Sequence, residues 1–154
     1  LAQINQDLGL TIVLITHSMD VIRRICDRVA VIDAGKLVEQ GEVLDVFLHP
    51  QHVVTQSLLS ESGVEAEGWQ DMAAEVQGRL LRLSFTGSST ATPLLSQISR
   101  DYQLDLSILQ GAVSRIKDVP YGQLVVAANG DLSRWSQVET LLAQQGVDCE
   151  VLRP

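Results

Sequence analysis

The sequence has few cysteines, few aromatic residues and no long apolar run. Two of its 154 residues are cysteines, Cys26 and Cys149, and aromatic residues make up 4% of the chain. Because neither cysteine belongs to a Cys/His cluster, the sequence predicts no metal site and favours two reduced thiols in a core. The apolar runs are far shorter than the ~20 residues of a membrane-spanning helix. The sequence shows no basic segment followed by an apolar stretch, which is the pattern of a secretory signal, so no such signal is predicted.

Positive charge is also scarce. The chain has 11 Lys+Arg against 19 Asp+Glu, which gives a formal net charge of −8. Because phosphate groups repel an acidic protein, nucleic acids and anionic membrane surfaces are poor candidate partners. The hydrophobic fraction of 45% is enough to build a core. The length predicts one domain or two small ones.

The excess of acidic residues is concentrated in one segment, residues 61–78. Its sequence, ESGVEAEGWQDMAAEVQG, has five acidic residues, no basic residue and three glycines. Like charges together with glycine predict a solvated linker between two packed units. We therefore predict a first domain at 1–60, an acidic linker at 61–78 and a second domain at 79–154. Trp69 is unusual in a linker and is expected to hold it against a neighbouring element.

The first part of the chain has an α/β pattern. The segment LTIVLIT (10–16) is apolar on both faces and rich in β-branched residues, which predicts a strand inside a parallel sheet. A helix follows with Ser18 as its N-cap. VAVIDAGKLVEQG then predicts a hairpin, and two short helices come after it. His17 thus ends a buried strand, at the sheet edge where ligands bind. It is either a donor to a phosphate or a polar residue that satisfies a loop carbonyl.

The second part predicts the order β-α-β-β-α-β. This is the ferredoxin-like arrangement, so the predicted fold class is α+β. Two helices are expected to cover one face of an antiparallel sheet. The other face should be free of helices and carry Leu and Val beside polar residues, so a dimer is expected. In LDLSILQGAVSRI the alternation changes phase near residues 109–111, which predicts a bulge or bend.

Two other functions of such a sheet fit poorly. RNA binding needs stacked aromatic residues on the central strands and basic flanks, and residues 79–154 have few aromatic residues and no net charge. No nucleophile–base pair for catalysis is visible there. Ser88, Ser89 and Thr90 form a polar loop, which is either an ordinary loop or part of the lining of a ligand site.

The segment LITHSMDVIRRICDRVAVIDAGKLVEQG resembles the switch-histidine region of ABC-transporter ATPases, in particular of methionine importers. GEVLDVFLHPQHVVTQSLL, which follows, resembles the end of their nucleotide-binding domain. The resemblance implies that His17 is the switch histidine, which contacts the γ-phosphate of ATP. It implies ATP and Mg²⁺ as cofactors of the full-length protein.

The phosphate-binding pattern GxxxxGK[ST] and an LSGGQ-like signature are absent from the sequence. Asp33 comes after His17, so we interpret it as a turn residue and not as the Mg²⁺-site aspartate. The chain is therefore expected to be the C-terminal part of a longer ATPase, unable to bind nucleotide or hydrolyse ATP alone. The strand at 10–16 would then lack neighbours, and exposed apolar surface is expected there.

The segment LLRLSFTGSSTATPLLSQISRDYQLDLSILQGAVSRI, with PYGQLVVAANG, resembles the NIL domain of methionine-importer ATPases, which is similar to ACT domains. The resemblance implies a homodimer that binds L-methionine and inhibits import by feedback. The implied ligand positions are Ser107, Ile108, Leu109 and Gln110, with Ser107 where some relatives have asparagine. It further implies a membrane permease and a substrate-binding protein as partners. The protein would be a peripheral subunit at the cytoplasmic face of the bacterial plasma membrane.

Two alternatives stay open at this point. The second domain is either a ligand sensor or a purely structural dimerisation element that raises the effective concentration of ATPase subunits. If it is a sensor, its ligand is methionine or another apolar amino acid. A methylene or two changes affinity in such a pocket by only ~1–3 kcal/mol, so the sequence does not separate these ligands.

Overall fold

The chain forms two compact units in a computed structural model that describes residues 2–62 and 69–154. The first unit contains residues 2–62 together with 115–117, and the second contains 69–114 and 118–154. Residues 63–68, part of the predicted linker, lie outside the described residues. Within the described ranges, no helix is both long and apolar enough to cross a membrane.

The first unit contains short helices and one two-stranded hairpin. The predicted hairpin is confirmed: Asp33 pairs with Lys36, and the turn residues Ala34 and Gly35 have φ angles of 47° and 76°. The helix after Ser18 is also confirmed, since the Ser18 side chain accepts the Val21 N–H. In chain order the elements are α1 (Ala2–Leu8), α2 (Met19–Ile25), β1 (Arg28–Asp33), β2 (Lys36–Glu42), α3 (Val43–Leu48) and α4 (Val53–Glu61).

The strand predicted at 10–16 is wrong, because the segment has no regular secondary structure. A strand needs backbone partners on a neighbouring strand, and no strand in the described residues pairs with this segment. The expected exposure of apolar side chains is confirmed: Val13 is 85% exposed and Ile15 95%. These side chains line an open apolar groove of about 840 Å³ in the first unit.

The second unit has the predicted βαββαβ order, preceded by one additional helix. The elements are α5 (Trp69–Glu75), β3 (Arg79–Thr86), a 3-10 helix (Gly87–Ala91), α6 (Leu94–Tyr102), β4 (Leu104–Ile116), β5 (Val119–Gly130), a second 3-10 helix (Leu132–Arg134), α7 (Trp135–Gln144) and β6 (Asp148–Arg153).

The four strands of the second unit form one sheet in the order β4-β5-β3-β6. Strand β3 is antiparallel to both of its neighbours, β5 and β6. β4 and β5 are adjacent and joined by two residues, a connection that only antiparallel strands allow. The predicted α+β class and ferredoxin-like topology are confirmed, with β4 and β6 at the two edges.

The main core lies between this sheet and helices α6 and α7. Leu81, Leu83 and Phe85 alternate along β3 and point to the helices, as the period of two requires. They pack with Leu94 and Ile98 of α6. The other buried members of this core are Leu104, Val126, Ala128, Trp135, Val138, Leu142 and Val147.

The opposite face of the sheet, which we call the outer face, is partly covered by helix α5. Ala73 of α5 packs with Leu80 and Ala127 of the sheet, and all three are buried. Trp69 and Val76 pack against the same cluster. The expectation that this face is free of helices is therefore wrong, and part of the segment predicted as a solvated linker is a docked helix. The packing of Trp69 agrees with its expected holding role.

Candidate functional site

The predicted ligand residues lie in the middle of edge strand β4. Ser107 and Ile108 are exposed, the latter by 59% of its surface, whereas Leu109 and Gln110 are half-buried. In the described sheet β4 has a neighbouring strand on one side only. Its outer backbone N–H and C=O groups thus face no strand of the described residues, and such an edge is a template for a ligand or another strand.

The alternation of side chains along β4 changes phase within this segment. Even-numbered Leu104 and Leu106 pack into the helix-side core, whereas Leu109 packs on the outer-face cluster. Further along, a Cβ at Gly111 would lie 2.5 Å from a methyl group of Leu124, which belongs to the helix side. Before this point odd-numbered side chains face the outer side, as Leu109 does, and after it position 111 faces the helices. The predicted irregularity at 109–111 is therefore confirmed. Such irregularities re-aim side chains and backbone groups.

A cavity of about 190 Å³ opens on the helix side of the sheet, beside the far end of β4. Its walls are mostly apolar, with a few hydroxyl groups, which is the composition of a small-ligand pocket. The lining residues are Phe85, Thr90, Thr92, Pro93, Leu94, Leu95, Ser96, Val113, Gly122 and Leu124.

The cavity and the predicted ligand residues are separate within one chain. Ser107, Ile108, Leu109 and Gln110 are not among the cavity-lining residues, whereas Val113, six positions after Ser107 on the same strand, is one of them. Because the cavity is lined by elements far apart in sequence, sequence reasoning missed most of it, including Leu95 and Leu124.

Of the predicted polar loop, the structure brings only Thr90 to the cavity. The loop folds as a 3-10 helix. The Ser89 hydroxyl is buried, donates to the Thr86 carbonyl and accepts the Thr86 N–H. Its role is therefore to shape this loop.

His17 lies in the first unit, at the bend before helix α2. Its side chain is exposed and lines the apolar groove formed with residues 10–16. The exposed imidazole of His17 is accessible to a phosphate group. The assignment of His17 as the switch histidine stays a prediction. Among residues 2–62 and 69–154, no group of three His, Cys, Asp or Glu side chains could hold a metal ion.

The two cysteines are free thiols, as predicted, and both are partly buried. Burial raises the pKa of Cys149 to about 11, with additional contributions from the Glu139 and Asp148 carboxylates. Burial also raises the pKa of Cys26. Because the thiolate is the reactive form, neither side chain is suited to nucleophilic chemistry at neutral pH.

Alkylation of Cys149 by iodoacetamide at pH 8 is expected to be at least tenfold slower in the folded protein than in urea. The high pKa leaves a minute thiolate fraction, and the greater nucleophilicity of a more basic thiolate compensates only in part. The rate is measured by mass spectrometry in a Cys26→Ser background, where Cys149 is the sole thiol. Equal rates in folded and unfolded protein would contradict the buried environment.

Comparison with known proteins gives a match to one family description and matches to several curated proteins. The family description "NIL domain" matches residues 79–151. A "Methionine import ATP-binding protein MetN" of Xanthomonas oryzae pv. oryzae is 62% identical over 132 residues, covering 84% of this chain and 39% of the relative. The protein of that name from Xanthomonas euvesicatoria pv. vesicatoria is 56% identical over 155 residues, covering 99% and 45%.

A solved structure is also similar. It is the C-terminal domain of an ABC transporter ATP-binding protein from Enterococcus faecalis, with 25% identity and a TM-score of 0.45. The match covers 54% of this chain and 93% of that domain. The chain spans less than half the length of the curated relatives named above.

Proposed function

We propose that this chain is the C-terminal part of the ATPase subunit of a bacterial methionine importer, and the match of residues 79–151 to the NIL domain supports the proposal. The observation that carries the proposal is this match together with 56% identity, over nearly the whole chain, to a methionine import ATP-binding protein. Residues 1–60 would be the end of the nucleotide-binding domain, 61–78 the connecting segment and 79–154 the regulatory domain.

In the full-length protein His17 would contact the γ-phosphate of ATP. The residues that hold Mg²⁺ and the phosphate-binding loop would belong to other parts of the ATPase. An imidazole N–H beside a phosphate oxygen stabilises negative charge that develops during phosphoryl transfer. The partners would be a membrane permease and a substrate-binding protein, with the ATPase subunit peripheral at the cytoplasmic face of the plasma membrane.

The second unit would bind L-methionine as a homodimer through segment 107–110. The ammonium and carboxylate groups of an amino acid are suited to the C=O and N–H groups at a strand edge, and the Ser107 hydroxyl adds a donor and an acceptor. The thioether needs an apolar, polarizable pocket. A second copy that pairs edge to edge and antiparallel would bring its own segment 107–110 towards the first copy's Val113 and cavity. One ligand would then contact both chains.

Feedback inhibition would follow from a population shift. Methionine must bind more tightly to the dimer arrangement in which the ATPase halves are apart than to the one in which they close. The coupling is reciprocal, so closure of the ATPase halves must weaken methionine binding by the same factor.

A purely structural dimerisation role is the second candidate, and the exposed apolar side chains of β4 favour it. Ile108 and Val113 lie on an edge strand and are mostly exposed. Apolar groups on such an edge are suited to a protein contact that needs no ligand. Ligand binding distinguishes the two candidates, whereas dimerisation does not.

Calorimetric titration of L-methionine into the whole chain is expected to show saturable binding, with L-leucine as the ligand control. Ser107→Ala should weaken the affinity at least about tenfold, since a hydrogen bond to a charged group contributes ~1.5–3 kcal/mol. Ser136→Ala, an exposed serine on α7, is the matched control and should leave the affinity unchanged.

Three results would change the assignment. Absence of heat at millimolar methionine, on a sample shown by sedimentation to be a folded dimer, would favour the structural role. Equal affinity for leucine would favour a sensor of another apolar amino acid. Equal affinities of the two serine variants would remove Ser107 from the site.

A further inference from the structure

Helix α5 depends on its docking contacts for its helical structure. It has seven residues, and isolated helices much shorter than ~12 residues do not persist in water. Of its side chains only Ala73 is fully buried, and Met72 is half exposed. Trp69 at its start and Val76 just after its end pack against the same cluster as Ala73, so the apolar contacts of the helix lie on one face.

One side chain of the last strand, Arg153, holds the end of this helix. Its guanidinium donates to the carbonyl oxygens of Ala73 at 2.9 Å, Val76 at 2.6 Å and Gly78 at 3.2 Å. The last carbonyls of a helix have no donors within the helix, and a planar fork of five N–H groups can satisfy several of them together. The positive charge is also favourable at a helix C-terminus. Arg153 therefore holds the end of α5 in place, in addition to the packing of Trp69, Ala73 and Val76 on the sheet.

The cluster beneath α5 extends to the proposed ligand segment. Leu109 of β4 packs against the buried group formed by Ala73, Leu80 and Ala127, and Leu152 of β6 does the same. The backbone on either side of Leu109 carries the other predicted ligand residues. Leu109 therefore connects segment 107–110 to the cluster on which α5 packs.

We propose that α5 is a releasable latch on the outer face, locked by Arg153, and that Leu109 couples its docking to ligand occupancy of segment 107–110. The coupling rests on the proposed function of that segment. A ligand that orders β4 there holds Leu109 in place and favours docking. By reciprocity, a docked α5 strengthens ligand binding.

Hydrogen exchange measured by mass spectrometry on the whole chain tests the latch without a ligand. In Arg153→Ala, amides of residues 69–76 should exchange about tenfold faster than in the unchanged protein. Amides of 107–110 should also exchange faster, while those of α7 stay unchanged. Arg153→Lys keeps the charge but not the planar fork and should give a smaller increase in the same amides. Arg100→Ala, which removes an exposed arginine paired with Asp101, should change neither segment.

A second arm adds L-methionine and separates failure of the latch from failure of the proposed function. The expected result is slower exchange at both 107–110 and 69–76. Protection of 107–110 alone would overturn the latch and leave methionine binding intact. No protection at 107–110 would overturn methionine binding there and, with it, the coupling to a ligand. In the ligand-free arm, unchanged exchange at 69–76 in both Arg153 variants would overturn the locking role of Arg153. Faster exchange confined to α5, with none at 107–110, would overturn the coupling through Leu109.

Discussion

Replacing Leu83 by alanine is expected to lower the free energy of unfolding of the second unit by about 3 kcal/mol. Leu83 is 1% exposed and lies on the central strand β3, between Leu124 of β5 and Cys149 of β6. Helices α6 and α7 cover it from above, so neighbours on every side are held by other contacts. The space left by the missing methyl groups cannot close, and the loss of packing adds to the loss of hydrophobic burial.

Urea denaturation followed by tryptophan fluorescence measures this loss. Both tryptophans, Trp69 and Trp135, belong to the second unit, so the signal reports on that unit. Val151→Ala is the matched control, because Val151 is 42% exposed and lies opposite Leu81 in the same sheet. It should cost less than about 1 kcal/mol. Similar losses in the two variants would show that the core does not lie between β3 and the helices.

Replacing Gly78 by alanine is expected to cost about 3 kcal/mol of stability. Gly78 has a φ angle of +103°, which residues with a Cβ rarely adopt. An added Cβ would overlap the carbonyl oxygen of Ala128 and the side-chain oxygen of Asn129, and would lie 2.7 Å from Asn129 Cγ. Asn129 can rotate away, but the Ala128 carbonyl is part of the sheet. The entry to β3 must therefore shift, and with it the acceptor that Gly78 offers to Arg153.

Gly146→Ala is the control that separates backbone conformation from collision. Gly146 also has a positive φ angle, +68°, but nothing lies within 4 Å of an added Cβ. Its replacement should cost only about 1 kcal/mol, the usual penalty of this conformation for alanine. The same fluorescence-detected denaturation measures both variants. Equal costs at the two sites would mean that the contact with Ala128 relaxes freely.

The elements of the second unit were predictable because their signals are local. Alternation in RLLRLSF, the stripe through Trp135, Val138 and Leu142, and the turn residue Gly146 each act within a few positions of the chain. In the first unit the Asp33–Lys36 turn and the Ser18 cap are local in the same sense. The position of His17 before a helix followed from the same kind of pattern.

The two wrong expectations both concern partners that are distant in sequence. Residues 10–16 have strand composition, but a strand exists only where another strand supplies hydrogen bonds, and none in the described residues does so. Residues 69–75 have the composition of a solvated linker, yet they form a helix that packs on Leu80 and Ala127 and whose end is bound by Arg153, about 80 positions away. Local propensity carries no information about either partner.

The sequence by itself therefore determined the order of helices and strands in the ferredoxin-like unit, and the irregularity of β4 near the predicted ligand residues. Only the tertiary structure decided that helix α5 covers part of the outer face, that Leu109 contacts the cluster beneath it, and that Val113 lines the cavity while Ser107 does not. The physical reason is that periodicity and turn chemistry arise between neighbours in the chain. Burial, cavities and the hydrogen bonds of Arg153 arise between segments that only folding brings together.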